Sequence, residues 1–369
     1  MPDISDLRQR QALPLRAKVL MSQNRIREWY EHFNGGVYVS FSGGKDSTVL
    51  AHIVHDLYKD VPLVFCNTGL EYPEIRTFAK EMGAEIIYPS IMFDEVISKY
   101  GYPIISKEVS ESIHYSRLIK SDVINYSCID RDRSELFGTR KNGDKDSPYN
   151  KKKWLALCQQ TQFKISHKCC DAMKKKPFYS YKSRTKRLPI LGTLAEESRL
   201  REQAWLRKGC NAFEGTRKSS QPMSFWREQD VLHYIKQESL EIASVYGEIV
   251  GCDDQGFEYE PLPGVECNLK CTGCKRTGCV YCCYGLHLEK GETRFQRLAK
   301  THPKQYEYCV NGGQWVDNPD YDPTAPKMDG DWVNWNPKKI WVPSKKGLGM
   351  KKVFDDCNQI YGKDFIRYE

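Results

Sequence analysis

The stretch VYVSFSGGKDSTVLAHIV, residues 37–54, passes from an apolar run through glycines, a lysine and hydroxyls into an apolar helical pattern. A strand, a glycine-rich turn and a helix in this order are typical of a phosphate site. The glycines let backbone amides approach the ligand, and the helix N-terminus adds partial positive charge. The turn also carries a cation, a carboxylate and hydroxyls, so we predict phosphate binding by Ser42, Gly43, Gly44, Lys45, Asp46 and Ser47.

The spacing of this turn differs from that of a familiar nucleotide-binding loop. Its glycines and its lysine are too close together for the G-x-x-x-x-G-K-[ST] loop of the common nucleotide hydrolases. A glycine-rich turn that binds nothing is the alternative. The agreement of strand, turn and helix favours the phosphate site.

Cysteines supply a second set of residues that could do chemistry. Cys169 and Cys170 are adjacent, and Cys279 and Cys282 form a C-x-x-C pair. Two residues between thiols allow both to bind one metal centre, and soft thiolates favour an iron-sulfur cluster or zinc. A structural zinc site is the alternative, with Cys267, Cys271 and Cys274 joined by Cys279, Cys282 or Cys283. We expect the isolated cysteines to serve packing.

Composition places this chemistry in a reducing compartment. The N-terminal stretch MPDISDLRQRQ is too polar for a signal peptide. No apolar run approaches the ~20 residues that are needed to cross a bilayer. We therefore expect a cytoplasmic protein without a membrane partner. In that compartment, many of the fifteen cysteines are better explained by metal or redox chemistry than by disulfides.

Positive charge is concentrated in one part of the chain. Residues 140–187 contain fifteen Lys or Arg against three Asp, a net charge of +12, whereas the whole chain carries +8. Aromatic residues lie among these charges, so the basic 140–187 block could bind DNA or tRNA through phosphate contacts and stacking. The alternative is a solvated insertion that binds nothing.

The elements that must position these residues follow from periodicity. Apolar residues at helical spacing between Leu15 and Phe33 predict a helix that ends at the glycines after Asn34. Strands at 37–41, 61–66 and after Gly83 alternate with helices at 48–58 and 73–82, and a further strand is predicted at 187–194. This alternation predicts an α/β fold in which a parallel twisted sheet carries helices on both faces.

The pattern also suggests a division of the chain. Residues 1–34 form an N-terminal helical segment, and residues 35–250 form the nucleotide-binding α/β domain. The basic insertion interrupts that domain at about residues 120–187. Residues 251–369 are predicted to be an irregular, cysteine-rich C-terminal region.

SGGKDS after a first strand resembles the signature of the ATP pyrophosphatase (PP-loop) superfamily, whose members cleave ATP between its α- and β-phosphates. The remaining motifs resemble its phosphoadenosine phosphosulfate reductase-like branch: FCNTGLEYPE at 65–74, GTLAEESRLR at 192–201 and FWREQDVLHYI at 225–235. The resemblance covers about residues 30–300. It implies an adenine nucleotide alpha hydrolase-like fold, with Thr68, Gly69 and Gly192 beside the nucleotide.

One position departs from that pattern. The branch often has arginine where this chain has Leu194. The candidate anion clamps of this segment are therefore Arg199 and Arg201. Their alternative role is as part of a solvated helix face.

The cysteine pattern carries its own resemblance. A Cys-Cys pair followed about a hundred residues later by C-x-x-C is similar to the cluster ligands of iron-sulfur adenylyl-sulfate reductases. It is also similar to the sulfur-transfer enzymes of DNA phosphorothioation. The resemblance implies that a [4Fe-4S] cluster is held by Cys169, Cys170, Cys279 and Cys282.

Three hypotheses for function follow. The first is an ATP pyrophosphatase-type enzyme that adenylates a substrate and transfers sulfur with help from the cluster. In it Lys45 stabilises the leaving pyrophosphate, Asp46 holds Mg²⁺, and a cysteine desulfurase or another donor supplies sulfur. The second is a thiol-dependent sulfonucleotide reductase with Cys309 or Cys357 as nucleophile. The third is a zinc-stabilised nucleotide- and nucleic-acid-binding module without turnover.

Two features favour the first hypothesis over the second. The reductases usually have an altered loop, whereas Lys45 and Asp46 are intact here. The reductases also depend on a cysteine in a C-terminal Glu-Cys-Gly-Leu-His motif, whereas this chain ends in GKDFIRYE.

Overall fold

The computed structural model describes residues 3–118, 136, 151–253, 255, 257–260, 267–324, 328–329, 332–333 and 335–369. Cys128 and the part of the basic block before residue 151 lie outside this description. Among the described residues, no helix is both long and apolar enough to cross a bilayer.

Helices and short strands alternate along the first hundred residues, and further elements follow the basic block. The helices are α1 (Ile4–Gln11), α2 (Leu15–His32), α3 (Lys45–Leu57), α4 (Pro73–Glu81), α5 (Phe93–Tyr100), α6 (Lys107–Arg117), α7 (Leu155–Gln160), α8 (Lys176–Thr185), α9 (Arg199–Lys208), α10 (Glu228–Gln237), α11 (Arg294–Thr301), α12 (Pro303–Val310) and α13 (Met350–Tyr361). The strands are β1 (Val37–Phe41), β2 (Leu63–Cys66), β3 (Glu85–Ile87), β4 (Ile104–Ile105), β5 (Leu188–Leu191), β6 (Asn211–Ala212), β7 (Ser219–Ser220), β8 (Ile249–Cys252), β9 (Glu258–Tyr259), β10 (Asn268–Cys271), β11 (Cys283–Tyr284), β12 (Gln314–Asp317), β13 (Met328–Asp329), β14 (Trp332–Val333) and β15 (Lys339–Val342).

The chain forms two units. The first contains Met1–Pro89 and Lys176–Cys279, and the second contains Ser90–Lys175 and Val280–Glu369. In the first unit a six-stranded sheet runs in the order β3-β2-β1-β5-β7-β6. The strands β3, β2, β1, β5 and β7 pair in parallel, and β6 joins β7 antiparallel at the edge. The predicted parallel α/β sheet is confirmed, whereas the predicted three-part division of the chain stays a prediction.

Strand β1 shows why helices cover both faces of this sheet. Successive side chains of a strand point to opposite faces. Tyr38 packs on Tyr181 of α8, with the ring centroids 5.0 Å apart, and Phe41 on the other face packs on Phe78 of α4 at 6.2 Å. Both rings of β1 are almost fully buried. The prediction that helices pack on both faces of the sheet is therefore confirmed.

Helix α3 begins at Lys45, three residues before its predicted start at Thr48. Gly44 takes an extended backbone as the N-cap residue, and Asp46 in the first turn interacts favourably with the helix dipole. Lys45, Asp46 and Ser47 therefore belong to the first helical turn. The backbone amides of a first turn have no partner four residues earlier within the helix.

The second unit has smaller sheets and a core rich in sulfur. Strands β4 and β11 pair in parallel, and β12 and β15 pair antiparallel. Cys283 Sγ lies 3.4 Å from Met350 Sδ in this core, where Cys309 and Cys357 are also buried. Helices α11, α12 and α13 lie in the region that periodicity left unassigned, because two of them have eight residues each and are separated only by His302.

Candidate functional site

The turn from β1 to α3 is shaped by its glycines. Gly43 has a φ of +69°, and a Cβ atom there would lie 2.8 Å from Ile75 Cγ2. A side chain at this position would meet both backbone strain and a steric clash. Gly44, the N-cap residue, has no side chain that could cap the helix. The start of α3 therefore remains open to an anion.

Two serines brace the same turn. Ser47 Oγ donates to Gly44 O at 2.9 Å, and Ser42 Oγ lies 3.0 Å from Ser47 Oγ. Because the single hydroxyl proton of Ser47 goes to the carbonyl, the Ser42 hydroxyl is the donor of the second bond. Ser42 N also donates to Ser47 Oγ at 3.2 Å. These bonds hold the turn in shape before any ligand arrives.

Lys45 places its charge beside this turn rather than in solvent. It is only 6% exposed, and its Nζ donates to Glu228 Oε1 at 3.3 Å. The ammonium also lies 5.4 Å from the centroid of the Tyr246 ring. Burial raises the pKa of the Cys271 thiol, and the Lys45 charge opposes this rise. The cation is therefore fixed by a carboxylate from α10 and an aromatic face.

Asp46 is a half-buried carboxylate of the site. Burial raises its pKa to about 6, although the positive charge of Lys45 opposes this rise. The negative charge of Glu228 raises the pKa further, whereas Arg201 and Arg276 lower it. Asp46 is therefore a carboxylate whose ionised form would be stabilised by an additional cation.

The two arginines predicted as clamps have different positions. Burial lowers the pKa of the Arg201 guanidinium, and the Asp46 charge opposes this effect. Arg201 also forms an ion pair with Glu197. Arg199 is exposed. The structure therefore brings Arg201, but not Arg199, into the electrostatic surroundings of Asp46.

Gly192 lies against the backbone of the turn. It follows β5, which pairs with β1, so the two strand ends lie side by side. A Cβ atom on Gly192 would lie 3.0 Å from the Asp46 carbonyl oxygen and 3.2 Å from Ser47 Cα. The glycine predicted to lie beside the nucleotide is thus needed for close packing of two backbone segments.

Replacing this glycine should disturb the start of α3. We expect Gly192→Ala to lower the free energy of unfolding by about 1–3 kcal/mol, because backbone atoms must move to admit the methyl group. Chemical denaturation would measure this loss. Gly278→Ala is the matched control, since a Cβ atom there meets nothing within 4 Å. Equal stability of the two variants would contradict the steric role of Gly192.

Thr68 and Gly69 follow β2 at the same edge of the sheet. Thr68 is buried, and its hydroxyl and its amide both donate to the Glu71 carboxylate at 2.8–3.0 Å. Gly69 has a φ of +76° and is exposed in the turn. The structure gives Thr68 a role in holding this turn, and the nucleotide contact predicted for both residues stays a prediction.

The predicted metal ligands fall on both sides of the unit boundary. Cys169, Cys170 and Cys282 belong to the second unit, and Cys279 is the last residue of the first. Cys169 Sγ lies 3.9 Å from Cys170 Sγ. Among the described residues, no group of three or more His, Cys, Asp or Glu is close enough to hold a metal ion.

The electrostatics of the cysteine pair favour a thiolate. A hydrogen bond with Cys169 lowers the pKa of Cys170 to about 6 against the opposing effect of burial, and Lys107 and Lys174 lower it further. Burial raises the pKa of Cys282, and the charge of Cys170 also raises it. Cys282 is therefore within electrostatic reach of the pair.

Two cysteines matter for the reductase alternative. Cys309 and Cys357 are both 0% exposed, and burial raises the pKa of each thiol. Nucleophilic thiols need access and a stabilised thiolate. Neither residue has these properties in this structure.

The phosphate site also contains three residues outside the predicted set. Glu228, Tyr246 and Arg276 surround Lys45 and Asp46 but were not predicted there. Glu228 lies within the WREQDVLHYI motif, and Arg276 lies just before the C-x-x-C pair. Tyr246 stands outside any motif and shares a 2.5 Å hydrogen bond with Thr277.

Comparisons with known proteins agree with the strand, turn and helix described above. Residues 36–125 and 128–284, more than half of the chain, match the family model of the phosphoadenosine phosphosulfate reductase domain. Two uncharacterized proteins of Methanocaldococcus jannaschii match shorter stretches. One is 30% identical over 86 residues, 21% of each chain, and the other is 38% identical over 84 residues, 21% of this chain and 18% of that protein. The chain thus spans about a fifth of the length of these curated relatives.

Solved structures show more distant likeness. The phosphoadenylyl-sulfate reductase of Candida auris in a phosphate complex has a TM-score of 0.35 at 12% identity, over 66% of this chain and 91% of that chain. The U34-tRNA thiolase NcsA of Methanococcus maripaludis with its [4Fe-4S] cluster has a TM-score of 0.28 at 13% identity, over 62% and 66%. Scores this low support no inference about activity. The family match rests instead on the length of chain that contains the phosphate turn, Gly192 and Glu228, and it shows that this chain belongs to the phosphoadenosine phosphosulfate reductase domain family.

Proposed function

We propose that the protein is an ATP pyrophosphatase-type enzyme that adenylates a substrate and then transfers sulfur to it with help from an iron-sulfur cluster. The observation that carries this proposal is that Lys45 and Asp46 share the first turn of α3, with Arg201 of α9 near enough for its charge to act on Asp46. A nucleoside triphosphate needs a cationic cradle and a carboxylate for Mg²⁺. This turn offers both groups.

The chain's own groups would divide the work as follows. The backbone amides of the first turn of α3 and the Lys45 ammonium would stabilise the charge that develops on the leaving pyrophosphate. Asp46 would hold Mg²⁺, which neutralises phosphate charge when bound. The raised pKa of Asp46 fits this role, because a nearby cation stabilises its ionised form. Arg201 and Arg276 would add positive charge beside the same carboxylate.

The cysteine donors fit a soft metal centre in their chemistry. Cys169, Cys170, Cys279 and Cys282 would hold a [4Fe-4S] cluster, with zinc as the alternative metal. The low pKa of Cys170 favours the thiolate that either metal requires. A cluster would supply a soft, redox-capable site for sulfur.

Iron content tests this assignment apart from activity. We expect Cys170→Ser, purified without oxygen, to hold about tenfold less iron than the wild type, because it loses a thiolate donor. Elemental analysis and visible absorbance would measure the loss. Cys210→Ser is the control, since this buried thiol packs near Ser224 in the first unit. Zinc in place of iron in the wild type would contradict the cluster.

Nucleic acid is the proposed acceptor class. Helix α8, within the basic 140–187 block, exposes a single stripe that contains no acidic residue: Lys176, Tyr179, Ser180, Ser183 and Arg184. Tyr179 is 52% exposed, so its ring is available for stacking on a base. These features support DNA or tRNA as the partner, with a cysteine desulfurase or another donor supplying sulfur.

Product analysis tests the proposed reaction. Protein purified without oxygen would be incubated with Mg-ATP or with phosphoadenosine phosphosulfate, in the presence of DNA, tRNA or no acceptor. Nucleotide chromatography should then show AMP and pyrophosphate from ATP, and the acceptor that stimulates their release identifies the substrate class. Sulfite and a bisphosphonucleoside released from the sulfonucleotide, with ATP unchanged, would instead identify a reductase.

A further inference from the structure

The proposed function leaves one charged residue of the phosphate site without a role. Glu228 is the first residue of α10, and its Oε1 accepts a 3.3 Å hydrogen bond from Lys45 Nζ. The Lys45 side chain is 7% exposed and that of Glu228 is 32% exposed. A carboxylate therefore contacts the cation that the phosphate turn would offer to a ligand.

The backbone of Glu228 is anchored independently of its side chain. Its amide donates to Glu196 Oε1 at 2.5 Å. The carboxylate can therefore change partner without disturbing the start of α10. Its position in the first helical turn is favourable for a negative charge.

Two other carboxylates of the first unit have partners outside the phosphate turn. Glu197 pairs with Arg201, and Glu71 accepts hydrogen bonds from Thr68. Glu228 instead lies close enough to Asp46 for its negative charge to act on that carboxyl. The phosphate turn thus has two carboxylates beside the Lys45 ammonium, and the positive charges of Arg201 and Arg276 also act on Asp46.

These charges have opposite effects on two kinds of ligand. A bare phosphate anion would compete with Glu228 for Lys45 and would be repelled by both carboxylates. A phosphate bound to Mg²⁺ brings a cation that prefers one or two carboxylates together with phosphate oxygens. Two neighbouring carboxylates would therefore favour the magnesium complex over the free anion.

We propose that Glu228 is a positioning residue that makes the phosphate site selective for magnesium-bound phosphate: it competes with the free anion for Lys45 and joins Asp46 in facing the cation. This inference rests on the proposed function, because it assumes that the turn from β1 to α3 binds phosphate. It adds to that function a residue from a helix more than 180 positions away in the sequence.

Pyrophosphate binding with and without magnesium tests the inference. Isothermal titration calorimetry would compare wild type and Glu228→Gln in buffer with excess chelator and in buffer with Mg²⁺. Without Mg²⁺ we expect the variant to bind pyrophosphate about tenfold more tightly, because the competing charge is lost. With Mg²⁺ we expect it to bind about tenfold more weakly, because a carboxylate that faces the cation is lost.

Glu238→Gln is the matched control. It removes the same charge just beyond the other end of α10, where the side chain is exposed, and it should leave both affinities unchanged. A shift of Glu228→Gln in the same direction in both buffers, or no shift, would overturn the role of Glu228. Failure of the wild type to bind pyrophosphate in either buffer would instead overturn the phosphate site and, with it, the proposed function.

Discussion

Lys45→Ala is expected to lower the rate of AMP release from Mg-ATP by on the order of 100-fold or more. Removing one preorganised donor from a developing negative charge typically costs about 10²–10³ in rate. Lys45 is such a donor, because its ammonium is buried at the start of α3 and fixed by Glu228 and Tyr246. The loss should appear in the rate at saturating ATP as well as in binding.

The variant should remain folded. Alanine is a good helix former at the first position of α3, and the Glu228 carboxylate is exposed enough for water to solvate it once its partner is gone. Lys59→Ala is the control, because Lys59 is an exposed lysine just beyond the other end of the same helix. AMP release by Lys45→Ala within about threefold of the Lys59→Ala rate would exclude the proposed role of the loop cation.

The local part of the site could be predicted from the sequence because its signals are contiguous. An apolar strand, two glycines and a helical pattern follow one another directly, so β1, the turn and α3 were predicted together. The predicted start of α3 at Thr48, three residues after the observed start at Lys45, also has a local cause. Lys45 and Asp46 look like loop residues until the dipole and the extended backbone of Gly44 are considered.

The rest of the site depends on contacts between distant strands and helices, which no local sequence pattern predicts. Gly192 reaches the turn only because β5 pairs with β1, and Glu228 reaches Lys45 only because α10 packs beside α3. Tyr246 belongs to no motif, so nothing in the sequence indicated that it lies under the ammonium. Gly192 was predicted to lie near the nucleotide from the family motif, whereas periodicity alone gives no information about this contact.

Residues of the same type differ in exposure and pKa according to their position in the fold, and composition cannot predict these differences. Arg199 and Arg201 are equivalent as sequence candidates, yet one is exposed and the other is electrostatically linked to Asp46. Cys170 and Cys357 are likewise both thiols, but only Cys170 has a lowered pKa. The hydrogen bond with Cys169 and the neighbouring lysines lower the pKa of Cys170, whereas burial raises that of Cys357. The lysine contacts and the depth of burial depend on the tertiary fold.

Asp46→Asn is expected to stabilise the protein while impairing its reaction. The pKa of Asp46 is raised from 3.8 to about 6 in the folded chain, chiefly by burial. A carboxyl with a raised pKa contributes stability that is fully present below its unfolded pKa and is lost as the pH rises through its folded pKa. Above pH 6 the half-buried charge of Asp46 therefore lowers stability, by about 3 kcal/mol at most.

Removal of that charge should reverse the loss. At pH 7.5 we expect Asp46→Asn to unfold with a free energy up to about 3 kcal/mol higher than the wild type, and the difference should shrink as the pH falls below 6. Denaturation between pH 4 and pH 7.5 would measure this difference in the free energy of unfolding, with the exposed Asp60→Asn as control.

Magnesium-dependent AMP release by Asp46→Asn should fall on the order of 100-fold, because a neutral amide holds Mg²⁺ far less well than a carboxylate. Higher stability together with lower activity would show that the charge of Asp46 destabilises the fold and is required by the reaction. A loss of both stability and activity would instead make Asp46 a structural residue.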